Sequence, residues 1–474
     1  MEKPIRKLFF SHALTPDGWR ARVLVTVAGG TILSVESEAD PTSPGIEAIP
    51  GPALPGMGNI HSHAFQRGMA GLAERASPPA PDGAPSRDSF WSWREVMYRF
   101  LERLTPEDVE AVAALAYMEM LEAGFTGVAE FHYLHHQADG TRYDEIARMS
   151  AALASAAAET GIALTLLPVL YVHGGFGAAP ASVRQRRFLC DLDDYARLLD
   201  GARAAIAGLP DARLGIAPHS LRAVDPATFR LLAGLIGTTL SPAEPVHIHI
   251  AEQVKEVRDC EAALGQRPVR WLLDHAEVGP RWCLVHATHL DEGERRDLAA
   301  SGAVAGLCPI TEANLGDGLF PAVDFLAEGG RFAVGSDSNV LISLAEELRT
   351  LEYGQRLRDL GRNRLAAPDG GFDGSTGARL FTEAATAAAG ALGRKVGAIA
   401  PGYRADIVTL DPDHPSLAAR PVETMLDGWI FAAAGPAVNH VLVGGEIKVA
   451  GGRHLARETI RRRWAATARR LISA

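Results

Sequence analysis

The chain has 474 residues, 47% hydrophobic and 22% charged, with a formal net charge of -10 at pH 7. That length exceeds one ordinary compact domain and leaves room for a barrel of about 250 residues or more plus an accessory domain. The acidic balance argues against nucleic acid as the main partner, and it requires any anionic substrate to be captured by locally placed arginines.

The opening run, Met1-Glu2-Lys3-Pro4, leads into no long apolar core and no small-residue cleavage site, so no signal peptide is expected. Residues 20–37 read as a hairpin, two β-rich runs around Gly29-Gly30. An apolar, Gly/Pro-rich approach from Gly51 to Ile60 then reaches His61-Ser62-His63. Residues 76–89 are rich in Pro, Gly and Ser, and read either as a solvated surface loop or as a mobile lid over a site. Further on, strands alternate with helices, the sign of a parallel α/β fold. Strands are expected to end near Ile60, Phe131, Tyr171, Pro218, Ile250, Val285, Leu307 and Val334. Eight is the number a closed barrel needs. Helices are expected at Glu107 to Ala123, Asp194 to Ala207 and Ala345 to Leu360. The alanine-rich run from Ala151 is broken by serine and soon meets Glu159, so it reads as a helix rather than a membrane span.

The tail returns to short strands at Ala405–Leu410, Val438–Val443 and Ile447–Val449, then ends in a basic amphipathic helix, Arg457 to Leu471. The expected fold is therefore α/β, a (β/α)8 TIM-like barrel with a small β-sandwich domain built from both chain termini. Its divisions are 1–55 and 391–474 for the small domain, the latter with the terminal helix, and 56–390 for the barrel. Cys190, Cys260, Cys283 and Cys308 are far apart with no CxxC, which fits reduced residues in a cytoplasmic protein. No membrane partner is expected.

Alternate residues of a strand point the same way, so His61 and His63 can bite one metal ion together. An HxH pair alone is a weak signal. It strengthens beside His247-Ile248-His249-Ile250-Ala251-Glu252, Val285-His286-Ala287 and Val334-Gly335-Ser336-Asp337, each an apolar run ending in a ligand or acid/base side chain. In a parallel barrel those ends form the active face. His61, His63, His249 and Asp337 are the expected ligands of one divalent ion, most suited to Zn2+, with Fe2+ or Mn2+ as alternatives. His247 is assigned to packing or support. A two-metal site usually needs a carboxylated lysine or an acid at a central strand end, and Ala217-Pro218-His219-Ser220 has no lysine nearby. Such an ion activates water for attack on an sp2 carbon. Asp337 is then the expected base, His286 the donor that steadies developing charge, and Glu252 the shuttle to a leaving nitrogen.

The run Pro55-Gly56-Met57-Gly58-Asn59-Ile60-His61-Ser62-His63-Ala64-Phe65-Gln66-Arg67 resembles the amidohydrolase superfamily, and so does Gly397 to Val408. The likeness spans essentially the whole chain. Ser89 to Phe100, Ala129 to His136 and His219 to Val224 are similar to its formiminoglutamate deiminase branch. Members of that branch hydrolyse N-formimino-L-glutamate to N-formyl-L-glutamate and ammonia on one metal, in bacterial histidine degradation. Gly58 departs from the pattern, where proline is expected. The resemblance implies a small dicarboxylate substrate, Arg94 and Arg222 as carboxylate anchors, and Gln66, Tyr133 and His219 as hydrogen-bond partners. It also implies a homodimer. Two other readings stand beside it. A nucleobase or triazine aminohydrolase on the same scaffold would bind flat, largely uncharged rings and need no pair of arginines. A metal-free scaffold protein would not need all four ligands together with His286 and Glu252. His132, His135 and His136 carry no assigned role, and His173, His275 and His289 read as structural.

Overall fold

In the computed structural model, which describes residues 5–77, 88–239, 241 and 243–472, five strands open the chain. They are β1 Arg6–Thr15, β2 Gly18–Ala28, β3 Thr31–Glu36, β4 Ile46–Ala48 and β5 Ala53–Pro55. β1, β2 and β3 are antiparallel neighbours, and Gly29 and Gly30 supply the positive φ that a tight hairpin turn demands. Of the candidate lid at 76–89, residues 78–87 lie outside the described residues.

Nine parallel-paired strands follow: β6 Met57–Ser62, β7 Phe125–His132, β8 Ala163–Leu170, β9 Arg213–Leu214, β10 Ala217–Pro218, β11 Val246–Ile250, β12 Trp282–His286, β13 Val304–Leu307 and β14 Arg331–Val334. One arc runs β6-β7-β8 and on to β9 and β10, the other β11-β12-β13-β14. Single bridges, Ile216 to Val246 and Ser62 to Asp337, join the arcs at both seams and close the ring. With β9 and β10 counted as one broken strand, the ring has the eight positions of a TIM-type barrel. The break falls at Gly215 and Ile216. A side chain at Gly215 would press into Leu167 and within 2.6 Å of the Pro245 carbonyl, so the chain bends where neighbouring strands crowd it. Every strand is buried along nearly all its length, as expected when helices cover the sheet.

Helix Thr376–Leu392 follows the ring, and its last turn reaches the N-terminal ends of the strands. Thr165 Oγ1 donates to the Leu392 carbonyl at 2.8 Å, and His247 Nε2 lies 2.7 Å from the Ala391 carbonyl. That contact gives His247 its packing role. It also accounts for Gly58, because a side chain there would run into Leu392.

The last strands are β15 Ile407–Leu410, β16 Val438–Val443, β17 Glu446–Ala450 and β18 Arg453–His454. They join the first five in one nine-stranded sheet, ordered β18-β17-β16-β15-β5-β1-β2-β3 with β4 beside β1. Leu8, Phe10, Val25, Ile32, Ile407 and Leu442 belong to a hydrophobic cluster separate from the barrel core. The terminal helix, Arg457–Ile472, leaves this sheet and lies on the barrel. Its basic side chains meet acids of helix Pro106–Glu122, with Arg470 on Asp108, Arg457 on Glu122 and Arg463 on Glu110. The four cysteines are free and buried. Among the described residues, no helix is long and apolar enough to cross a membrane.

Candidate active site

The C-terminal rim of the ring is where the backbone leaves ordinary conformations. Ala251, His286, Ala287, Asp337 and Asn339 all have φ between 41° and 68°. Left-handed backbone at non-glycine residues costs free energy and clusters where a side chain must be aimed. Gly335 lets β14 approach β6, since a Cβ there would lie 2.7 Å from the His61 nitrogen. Across that seam His63 N–H donates to the Asp337 carbonyl, and Asp337 N–H to the His61 carbonyl, each at 2.9 Å.

This crossing gathers four ligand-type side chains. His61 Nε2 and His63 Nε2 are 3.2 Å apart, and Asp337 Oδ1 lies 3.5 Å from the first and 3.3 Å from the second. With His249, one ligand atom from each of the four lies within 4.8 Å of all the others. A tetrahedral ion with bonds of about 2.0–2.1 Å holds its ligands about 3.3–3.4 Å apart, so the group fits one small divalent cation. His63 Nδ1 faces the Phe131 carbonyl at 2.8 Å and His249 Nδ1 the His219 carbonyl at 3.2 Å. A ring N–H held by a carbonyl leaves Nε2 as the free lone pair, the tautomer a ligand needs. Burial lowers the pKa of His61 to about 3 and also lowers those of His63 and His249, which favours the neutral ring a metal ligand needs. The ring of Phe131 backs them, centred 4.5 Å from His249 and 5.0 Å from His61.

Beside these four lie the expected acid/base groups. His286 Nε2 is 3.9 Å from both Glu252 Oε1 and Asp337 Oδ2. Its Nδ1 is 3.3 Å from Glu312 Oε1. Burial alone would lower the pKa of His286; the charge of Glu252 and the hydrogen bond to Glu312 override it and raise the value to about 10. A divalent cation at the neighbouring ligands would pull that value down again. Burial raises the pKa of Glu252, opposed by His286 and Arg222 and assisted by Glu256 and Asp337. A carboxyl so placed holds a proton more readily than a free one.

A cavity opens above this group. Gln66, Arg94, Tyr133, His219 and Arg222 all line it, together with His63, His249, Glu252, His286 and Asp337. Thus every residue expected from the sequence to bind metal, catalyse or bind substrate borders the cavity, apart from His61, which is buried beneath it. Gln66 Nε2 donates to the Tyr133 hydroxyl at 2.9 Å. Two buried polar atoms of lining residues, Gln66 Oε1 and Arg222 Nη1, have no hydrogen-bond partner among the described residues. Arg94 and Arg222 flank the Trp91 ring, at 5.7 and 5.9 Å from its centre, and Lys255 lies at 5.8 Å. Three cations within cation–π distance of one indole concentrate positive charge on the side of the cavity that Arg94 and Arg222 line.

The remaining histidines stand apart. His135 and His136 face backbone carbonyls of Val169 and Leu189, and His275 and His289 those of Trp271 and Asp317. His173 pairs with Asp225 at 2.9 Å. His132 Nε2 is buried without a partner among the described residues. Sequence reasoning missed Glu312, Tyr171 and Gln185. Glu312 carries no motif; it reaches His286 from helix Pro309–Leu315, after the next strand. Tyr171 marked only a strand end, and Gln185 lies in a short 3-10 turn, Val183–Gln185.

A barrel with three imidazoles and a carboxylate converging at its strand ends is the build of the amidohydrolase family, and the chain belongs to that family, whose model matches residues 53–448. A formimidoylglutamate deiminase from Pseudomonas aeruginosa is 49% identical over 454 residues, 95% of this chain and 96% of that protein. An 8-oxoguanine deaminase from the same species is 27% identical over 452 residues, 92% of each. Among solved structures, an amidohydrolase from Brucella melitensis superposes with a TM-score of 0.91 at 49% identity, covering 98% of this chain and 100% of that one.

Proposed function

We propose that the protein hydrolyses N-formimino-L-glutamate to N-formyl-L-glutamate and ammonia, as a deiminase of histidine degradation. The observation that carries this reading is one cavity bordered by both a metal-binding group and two arginines, in a chain whose net charge is -10. A dianion needs focused positive charge to enter such a protein, and a guanidinium grips a carboxylate in bidentate fashion. The 49% identity to the formimidoylglutamate deiminase supports the same substrate.

His61, His63, His249 and Asp337 would hold the ion, which we read as Zn2+ from its three nitrogen donors and one oxygen, with Fe2+ or Mn2+ as alternatives. When bound, the ion supplies Lewis-acid activation of the attacking water. Asp337 accepts that water's proton. His286 donates from Nε2 to charge developing at the amidine. Glu252, whose pKa burial raises, delivers a proton to the departing nitrogen, which leaves as ammonia. Arg94 and Arg222 hold the two carboxylates, and Gln66, Tyr133 and His219 complete the polar wall.

We also propose the division 1–55, 56–390 and 391–474. The nine-stranded sheet, with its own hydrophobic cluster, is then a small β-sandwich domain. A homodimer in solution is the assembly to check by light scattering. The reading is tested by ammonia release from formiminoglutamate beside cytosine, guanine and N-formylglutamate. Preferential release from formiminoglutamate is expected; faster release from a ring would install a nucleobase aminohydrolase in its place.

A further inference from the structure

Tyr171 lies just past the end of β8, buried, its ring centred 4.6 Å from that of His219, and it lines the reaction cavity. Its hydroxyl receives two hydrogen bonds. Arg94 Nη2 donates at 3.1 Å, and Gln185 Nε2 donates at 2.7 Å. The orientation of the Gln185 amide is fixed independently, because Ser182 N–H donates to Gln185 Oε1 at 2.8 Å. Nε2 is therefore the end that faces the tyrosine, and it can only donate. A guanidinium also can only donate.

A phenolic hydroxyl has one proton and two lone pairs. Both lone pairs are taken by obligate donors. Its proton must go elsewhere, and no acceptor for it exists among the described residues. A buried hydroxyl proton without an acceptor carries a desolvation cost. The open side of this hydroxyl is the cavity, where Arg94 already concentrates positive charge.

We infer that Tyr171 is a substrate-binding residue that donates its hydroxyl proton to the carboxylate held by Arg94. The assignment rests on the dicarboxylate reading of the site. Gln185 and Arg94 together set the direction of the proton, so the subsite is specific for an anionic acceptor. A ligand that offers an N–H at this point finds no lone pair left to receive it.

Tyr171→Phe keeps the ring and removes only the hydroxyl. In the metal-loaded enzyme it is expected to raise KM for formiminoglutamate by about ten- to a hundredfold, with a smaller change in kcat, the scale of one hydrogen bond to a charged group. Calorimetric binding of N-formyl-L-glutamate should weaken by a similar factor, while metal content and melting temperature stay near wild type. A role confined to propping Arg94 is separated by the double variant. In an Arg94→Ala background the hydroxyl still donates, so Tyr171→Phe should cost at least about threefold more in binding; no further loss there overturns the assignment. A wild-type enzyme that turns over formiminoglutamate while Tyr171→Phe matches it also overturns the assignment, and leaves the deiminase reading intact. A wild type that neither turns over formiminoglutamate nor binds N-formyl-L-glutamate overturns both.

Discussion

His63 and Asp337 are tied twice across the seam that closes the barrel. The His63 amide donates to the Asp337 carbonyl at 2.9 Å, and His63 Nε2 lies 3.3 Å from Asp337 Oδ1. The backbone link closes the ring and the side-chain approach makes one edge of the ligand group. Barrel closure and ligand geometry are thus one structural event.

Removing one corner of that group should spare the fold and lose the ion. His61→Ala is expected to give a soluble, cooperatively melting protein with well under one equivalent of metal and little activity. Elemental analysis after exhaustive dialysis checks it. Full occupancy in that variant would mean that the four side chains are not the ligand set.

Asn339 is the buried brace behind the pair. Its Nδ2 donates to Ser62 Oγ at 3.2 Å, the His63 carbonyl at 3.1 Å and the Asp337 carbonyl at 3.0 Å. Its Oδ1 accepts from Ser336 Oγ at 2.6 Å. Asn339→Asp tolerates the left-handed backbone and replaces the donors with an oxygen facing three acceptors. Metal affinity should fall about ten- to a hundredfold, the usual cost of losing an outer support of a ligand. Unchanged affinity in a chelator competition would show that the seam holds without this amide.

Glu252 and His286 are expected to act in chemistry rather than in metal retention. Glu252→Gln should keep its metal and lower kcat by roughly a hundredfold or more, the scale of positioned proton transfer. Glu312→Gln weakens the support of His286 Nδ1 and should lower kcat by about tenfold, again with the metal in place. Parallel loss of metal and activity in both variants would count against this division of labour.

The strand ends were legible because each closes an apolar run, and those at His61/His63, His249/Glu252, His286 and Asp337 stop at a ligand or an acid, a local pattern. All eight expected ends fall on or within two residues of the observed ones; what the sequence did not show is the break of one strand into β9 and β10 at Gly215, under pressure from Leu167 and Pro245. The pairings that aim those side chains were not legible. Glu312 meets His286 across 26 residues, and Ser336 meets Asn59 across 277, neither marked by a spacing rule. The positive φ at His286 and Asp337 also left no trace, since no glycine or turn motif marks either position and the crossing of the strand ends sets it. The terminal helix is a related case. Its basic face was readable, but not that its partner would be the acidic side of Pro106–Glu122.

The arginines carry the sharpest test of substrate class. Arg94 is bound to Tyr171 and stacks over the Tyr98 ring at 5.2 Å, while Arg222 keeps Nη1 unpartnered among the described residues. Among the described residues neither is held by a carboxylate of the protein, so their charge is available to a ligand. Truncating either to alanine removes a charge-assisted contact of about 1.5–3 kcal/mol, or about ten- to a hundredfold in kcat/KM. Lysine should restore only part of it, because a point charge cannot reproduce the fork. A monocarboxylate analogue should be poor for the wild type yet lose much less on the matching arginine variant, since the contact it lacks is already gone. If each variant weakens both substrates equally, the arginines serve the fold and not the ligand.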